Sequence, residues 1–249
     1  MQVYFIGAGP GDPELITVKG ARLVKEADMI IYTGSLVNPA VLNKVKPDAA
    51  VYNSASMTLD EVVAMIVSAV EAGKMVVRLH TGDPSIYGAI KEQMDALDAH
   101  GIIYEVVPGV SSFLATAAAL KCEYTLPEVT QSVIITRLEG RTPVPEQERL
   151  AALASHGCTM CIFLSVHMLD GVISELLRGG YSEDTPIAVV EKASWPEEKI
   201  VRGTLATIAD KLKNSGVDRT AMIVVGRCLG SNYALSRLYH PEFKHMYRR

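Results

Sequence analysis

Three short loops rich in glycine and proline constrain this chain more than any other feature of it. Each lies between a β-branched run and an amphipathic one. They are Gly7-Ala8-Gly9-Pro10-Gly11-Asp12-Pro13, Thr81-Gly82-Asp83-Pro84-Ser85-Ile86-Tyr87-Gly88 and Val107-Pro108-Gly109-Val110-Ser111-Ser112. A strand that turns sharply into a helix is the repeating unit of a mostly parallel sheet with helices on both faces. The first half reads as strands at 3–6, 29–32, 50–52, 75–79 and 103–107. Asp12 with Pro13 reads as a helix start, and Asp83 with Pro84 as another, whose helix ends near Gly101. Thr58 to Glu61 fits a capping box opening a helix that runs to Gly73.

The stretch Arg141-Thr142-Pro143-Val144-Pro145 interrupts the middle of the chain. Around it the pattern predicts strands at 132–136, 159–164, 186–191, 199–202 and 221–225, with one helix ending at Gly179-Gly180 and another opened by Thr204. Fewer helices per strand leave room for antiparallel pairs. A length of 249 residues suits one large domain or two of about 120. The expectation is an α/β protein with an N-terminal domain over 1–120 and a C-terminal domain over 121–249, the first sheet mostly parallel and the second mixed. The basic, aromatic tail 239–249 reads as a chain terminus rather than a subunit contact.

Charge and cysteine content narrow the function. Lys plus Arg is 24 against 28 for Asp plus Glu, a net charge of −4. That argues against a nucleic-acid partner, which needs a strongly basic face. The longest apolar stretches, such as 160–164, are strand-length, so no membrane span is expected. Cys122, Cys158, Cys161 and Cys228 are sparse, and the start MQVYFIGAG has no basic region before an apolar one. A cytoplasmic protein with reduced thiols is the reading. Cys158-Thr159-Met160-Cys161 has His156 and His167 nearby but no second pair at zinc spacing, so these cysteines read as core and no metal site is expected.

The first loop invites a dinucleotide reading, and its details argue against one. The G-x-G-x-x-G pattern would need glycine where Asp12 stands. Pro10 removes an N–H that a pyrophosphate would use, and Asp12 adds a carboxylate there. Tyr32-Thr33-Gly34-Ser35 lacks the acidic residue that would hold a ribose hydroxyl, and the phosphate-binding Gly-Lys-Ser/Thr ending is absent. Loops at the carboxyl ends of parallel strands do bind ligands, and glycines let backbone approach them closely. A cofactor without phosphates, such as an adenosine compound with an amino-acid tail, fits better. Asp83 suits a ribose hydroxyl or an ammonium group, or serves as a helix cap; the roles can coexist.

YFIGAGPGDPELIT, RLHTGDPSIYG and VPGVSS together resemble the tetrapyrrole methyltransferase family. TRLEGRTPVPE at 136–146, supported by EDTPIAVVEKASWPEEKIVRGTL at 183–205, is similar more narrowly to the precorrin-4 C11-methyltransferases of cobalamin biosynthesis. The resemblance implies two α/β domains with a trough between them, usually in a homodimer, and S-adenosylmethionine folded between the domains. It implies cofactor contacts from Pro10, Thr81, Gly82, Asp83, Ile86, Tyr87, Ser111 and Ser112. Leu164, Ala193 and Ala221 join them through alignment of strands rather than motifs.

The tetrapyrrole substrate carries many carboxylates, which arginine meets bidentately. Arg137 and Arg141, bracketing Glu139, are candidate substrate contacts, with Lys192 and His80. A mutual Arg137–Glu139 ion pair and a solvated Lys192 are the structural alternatives, and for His80 a satisfied structural histidine. The ring carbon supplies its own nucleophile, so acceleration comes from holding reactants in line and excluding water. No residue declares itself as a general base. The competing readings are methylation of another ring carbon of a corrinoid or sirohaem precursor, a non-catalytic adenosine-ligand binder, and a nicotinamide oxidoreductase. A related branch of the family methylates diphthine precursors or ribosomal RNA; the acidic balance and the TRLEGRTPVPE segment argue against RNA.

Overall fold

The computed structural model describes residues 3–236, 243, 244 and 246–248, so most of the tail at 239–249 lies outside the described residues. The chain forms two compact units, Met1–Ala115 with Lys192–Glu197, and Thr116–Glu191 with Glu198–Arg249.

The first unit contains β1 (Val3–Gly7), α1 (Val18–Glu26), β2 (Met29–Tyr32), β3 (Ala50–Asn53), α2 (Leu59–Glu71), β4 (Val76–His80), α3 (Lys91–Ala99) and β5 (Tyr104–Val107). Its sheet runs β3-β2-β4-β1-β5 with every pair parallel. Alternate residues of the central strands point to opposite faces and both faces are covered, which is why these strands are apolar almost throughout. Ile6, Ile30, Val77 and Leu79 pack with Leu23 and Val24 of α1. Phe5, Ile31 and Val76 pack on the other side with Val62 and Ile66 of α2 and Leu97 of α3.

The predicted strands are found to within one residue or so, and the capping box is complete: Thr58 Oγ1 accepts from the Glu61 N–H, and the Glu61 carboxylate accepts from the Thr58 N–H. Three helix starts differ from expectation; one is Thr204, which ends a strand while its helix begins only at Ile208. Asp12 and Pro13 open only a 3-10 turn, Pro13–Leu15, and α1 starts after Thr17, whose Oγ1 accepts from the Gly20 N–H. Asp83 and Pro84 open a tight turn rather than a helix. Tyr87 and Ala89 adopt φ of 55° and 48°, outside the helical region, so α3 is delayed to Lys91.

α4 (Ser112–Leu120) leads into the second unit, with β6 (Val133–Arg137), α5 (Leu150–Ala154), β7 (Thr159–Phe163), α6 (Leu169–Arg178), β8 (Pro186–Glu191), β9 (Lys199–Thr204), α7 (Ile208–Lys213) and β10 (Ala221–Val225). The sheet order is β6-β7-β10-β8-β9, with β6 and β7 parallel and the other pairs antiparallel. This is the expected mixed sheet. Met160, Ile162, Ile187, Val189 and Ile223 form its core with Val172 and Leu176 of α6 and Ile208 of α7. Cys161 is fully buried within β7, where desolvation pushes its thiol up to about 12, the behaviour of an inert core side chain. No helix among the described residues is long and apolar enough to cross a membrane.

Candidate active site

β4, β1 and β5 are neighbours and parallel, so the three loops leave the sheet from the same end. Backbone laces them together. Gly9 and Gly82 exchange hydrogen bonds, N–H to O, at 3.3 and 2.9 Å, and the Ala8 N–H donates to the His80 carbonyl at 2.7 Å. Gly7 and Gly109 press against the Gly82 carbonyl with no room for side chains. A Cβ on Gly109 would lie 2.1 Å from the Gly82 oxygen, and one on Gly7 would lie 2.4 Å from it. Glycine is required at Gly7 and Gly109 for space, at Gly9 for space and a φ of 79°, and at Gly82 for a φ of 61°.

Asp83 is the clasp of this junction. One carboxylate oxygen accepts from the Ser85 N–H and hydroxyl, and the other accepts from the Gly109 N–H at 2.8 Å. Desolvation raises its pKa, but the hydrogen bonds from the Ser85 hydroxyl, the Gly109 N–H and the Ser85 N–H outweigh it, and the carboxyl sits below its ordinary value. Ser111 is buried and Ser112 half-buried beside the Gly82 backbone. The structure therefore brings together Pro10, Thr81, Gly82, Asp83, Ser111 and Ser112. Ile86 is half-buried in the second loop, while Tyr87 is 47% exposed with a left-handed backbone.

The end of β4 carries the most informative polar atoms. His80 Nε2 and Thr81 Oγ1 are buried and have no hydrogen-bond partner. Buried polar groups are nearly always paired, so two orphans at the mouth of three glycine loops point to a ligand that completes them. Burial pushes the His80 imidazole down to about 3, helped by the Arg78 cation, so His80 is neutral at physiological pH. Arg78 is itself buried, donating from Nε to Gln93 Oε1 at 2.9 Å and from its guanidinium to the Ile31 carbonyl at 3.0 Å. A neutral His80 contributes a hydrogen bond, not a charge.

These features fit S-adenosylmethionine. The loops offer backbone and small hydroxyls, Pro10 offers no N–H, and the Asp83 carboxylate adds a negative charge beside them. Ala193 is buried, and Lys192 lies with its ammonium 5.5 Å over the Trp195 ring and 3.9 Å from Glu197.

In the second unit, Arg137, Leu164 and Ala221 gather at one end of the sheet. Arg137 pairs with Phe163, the residue before Leu164, and Ala221 pairs with Glu191, the residue before Lys192. Leu164 is 56% exposed at a φ of 55°, a strained backbone for an apolar side chain held in solvent. Ser165 fixes this turn, its Oγ donating to the Phe163 carbonyl and accepting from the Leu138 N–H at 2.9 Å. The Arg137 guanidinium donates to the Thr142 and Pro143 carbonyls at 3.1 and 2.9 Å, bracing the proline-bearing loop. Glu139 and Arg141 are exposed.

Sequence reasoning missed the Arg78–Gln93 pair beneath His80, and it missed Ser194 and Trp195 beside the first loop. The sole tryptophan, set between Ser194 and Pro196, was the available signal for the latter.

Residues 2–209 match the model of the Tetrapyrrole (Corrin/Porphyrin) Methylases. The chain is 59% identical, over all of its length and 96% of the relative's, to the cobalt-precorrin-4 C(11)-methyltransferase of Methanocaldococcus jannaschii. Among solved structures, a cobalt precorrin-4 methyltransferase of cobalamin biosynthesis superposes with a TM-score of 0.90 at 50% identity, over 92% of this chain and 96% of that one. The uroporphyrin-III C-methyl transferase of Thermus thermophilus, complexed with S-adenyl homocysteine, gives 0.77 at 31% identity over 92% and 99%.

Proposed function

The chain belongs to the tetrapyrrole (corrin/porphyrin) methylases, and from that membership we propose that it methylates C11 of precorrin-4 or cobalt-precorrin-4 in cobalamin biosynthesis. The observation that carries this reading is full-length identity of 59% to a relative bearing that activity's name. When bound, S-adenosylmethionine supplies a methyl group on a sulfonium sulfur and leaves as S-adenosylhomocysteine.

The chain's own residues bind and orient. Backbone of the glycine loops, with Pro10, Thr81, Asp83, Ile86, Tyr87, Ser111, Ser112 and Ala193, holds the cofactor, and Leu164 and Ala221 are further proposed contacts. Thr81 Oγ1 gains its missing partner from the cofactor, and His80 Nε2 from an uncharged polar group of the substrate. Arg141 and Lys192 meet carboxylates, and Arg137 braces the loop that carries Glu139 and Arg141. Catalysis rests on alignment and water exclusion. The protein works as a homodimer in the cytoplasm, where its four thiols stay reduced.

Calorimetry with S-adenosylhomocysteine, using NAD as control, tests the cofactor assignment. Micromolar binding of the first and none of the second is expected; binding of NAD alone would sink the assignment.

A further inference from the structure

The segment 192–197 joins β8 to β9 of the second unit, yet it packs as part of the first. We propose that Trp195 and Ser194 on this segment are positioning residues that hold the first loop ready for the cofactor. The inference rests on the reading of that loop as a cofactor contact.

Trp195 Nε1 donates to the Pro10 carbonyl at 3.0 Å. The Asp12 N–H donates to Ser194 Oγ at 3.0 Å, and Asn38 Nδ2 donates to the Gly11 carbonyl at 2.8 Å. Three consecutive loop residues thus each have a backbone group held by a distant side chain. The indole also occupies the space a side chain at position 11 would need: a Cβ on Gly11 would lie 2.0 Å from Trp195 Cδ1. The ring is steadied in turn by the Lys192 ammonium, 5.5 Å from its centre.

The backbone shows that this grip is built. Lys192 and Ser194 adopt φ of 48° and 70°, left-handed conformations that only a well-determined surrounding maintains in non-glycine residues. The loop needs outside help because Gly9 and Gly11, on either side of Pro10, leave it conformationally free on its own. A loop that must be ordered on binding lowers affinity by the fraction of time it is competent, and fixing it beforehand removes that loss.

Trp195→Phe keeps an aromatic ring on the segment and removes the hydrogen bond donated to Pro10; Ser194→Ala removes the one accepted from Asp12. Each is expected to weaken S-adenosylhomocysteine binding by about three- to tenfold. The KM for S-adenosylmethionine should rise while kcat at saturation holds. Hydrogen exchange at the Gly11 and Asp12 amides of the ligand-free protein should quicken. A purely structural role would lower Tm and leave the dissociation constant of the folded protein unchanged, and that result in both variants overturns the inference alone. Failure of the wild-type protein to bind would overturn the cofactor reading, and this inference with it.

Discussion

Gly109→Ala should abolish S-adenosylhomocysteine binding and lower the unfolding free energy by about 2–4 kcal/mol. The added methyl would sit 2.1 Å from the Gly82 carbonyl oxygen and 2.7 Å from the Gly7 Cα. Both obstacles are backbone, so no rotamer change relieves the clash; the second and third loops must separate. Separation also breaks the hydrogen bond from the Gly109 N–H to Asp83, leaving that carboxylate to find another partner. The loss of binding therefore follows from geometry rather than from removing a ligand contact. Gly140→Ala is the control, because its Cβ meets only the Met168 methyl and sulfur, at an ordinary 3.5 and 3.8 Å. It should stay within about 0.5 kcal/mol of the parent. Denaturant unfolding and calorimetry read both quantities. An unaffected Gly109→Ala protein would mean the three loops do not form the junction described above.

The second large effect concerns acid stability. His80 titrates at about 3 in the folded protein and near 6.5 when unfolded. The unfolded chain therefore takes up a proton on acidification while the native one does not. The stabilisation is fully present above pH 6.5 and drains away as pH falls toward 3. A single such group has a limiting slope of about 1.4 kcal/mol per pH unit. His80→Gln should flatten the stability profile between pH 6.5 and 4.5, by roughly 2 kcal/mol relative to the wild type. Because His80 Nε2 has no partner inside the protein, the same variant should lose little stability at pH 7. Its methyl-transfer rate should fall, since the ligand is the proposed partner. Parallel stability profiles for the two proteins would show that His80 is hydrated and charged in the native state.

The parts of this molecule legible in its sequence are those fixed by local physics. Strands such as Met29–Tyr32 and Pro186–Glu191 are apolar because the sheets bury them, and the capping box at Thr58 is a reciprocal contact three residues apart. The misplaced helix starts at Asp12 and Asp83 share one cause. An Asp-Pro pair opens a turn as readily as a helix, and what decides is tertiary: Asp83 is drawn to Gly109, 26 residues away. The grip of Trp195 on Pro10 spans 185 residues and no local pattern encodes it. By charge alone Arg137 reads as a partner for Glu139, but its planar donors face the Thr142 and Pro143 carbonyls. The loops themselves were visible because glycine and proline are conspicuous; that they converge follows only from the order β4-β1-β5.

The most direct test is to incubate the purified protein with S-adenosylmethionine carrying an isotopically labelled methyl group, separately with precorrin-4 and with cobalt-precorrin-4, and to locate the label by NMR. The account predicts label at C11 of at least one substrate, with S-adenosylhomocysteine formed in equal amount. Label on another ring carbon, or no transfer to either substrate by protein that binds S-adenosylhomocysteine, would contradict it.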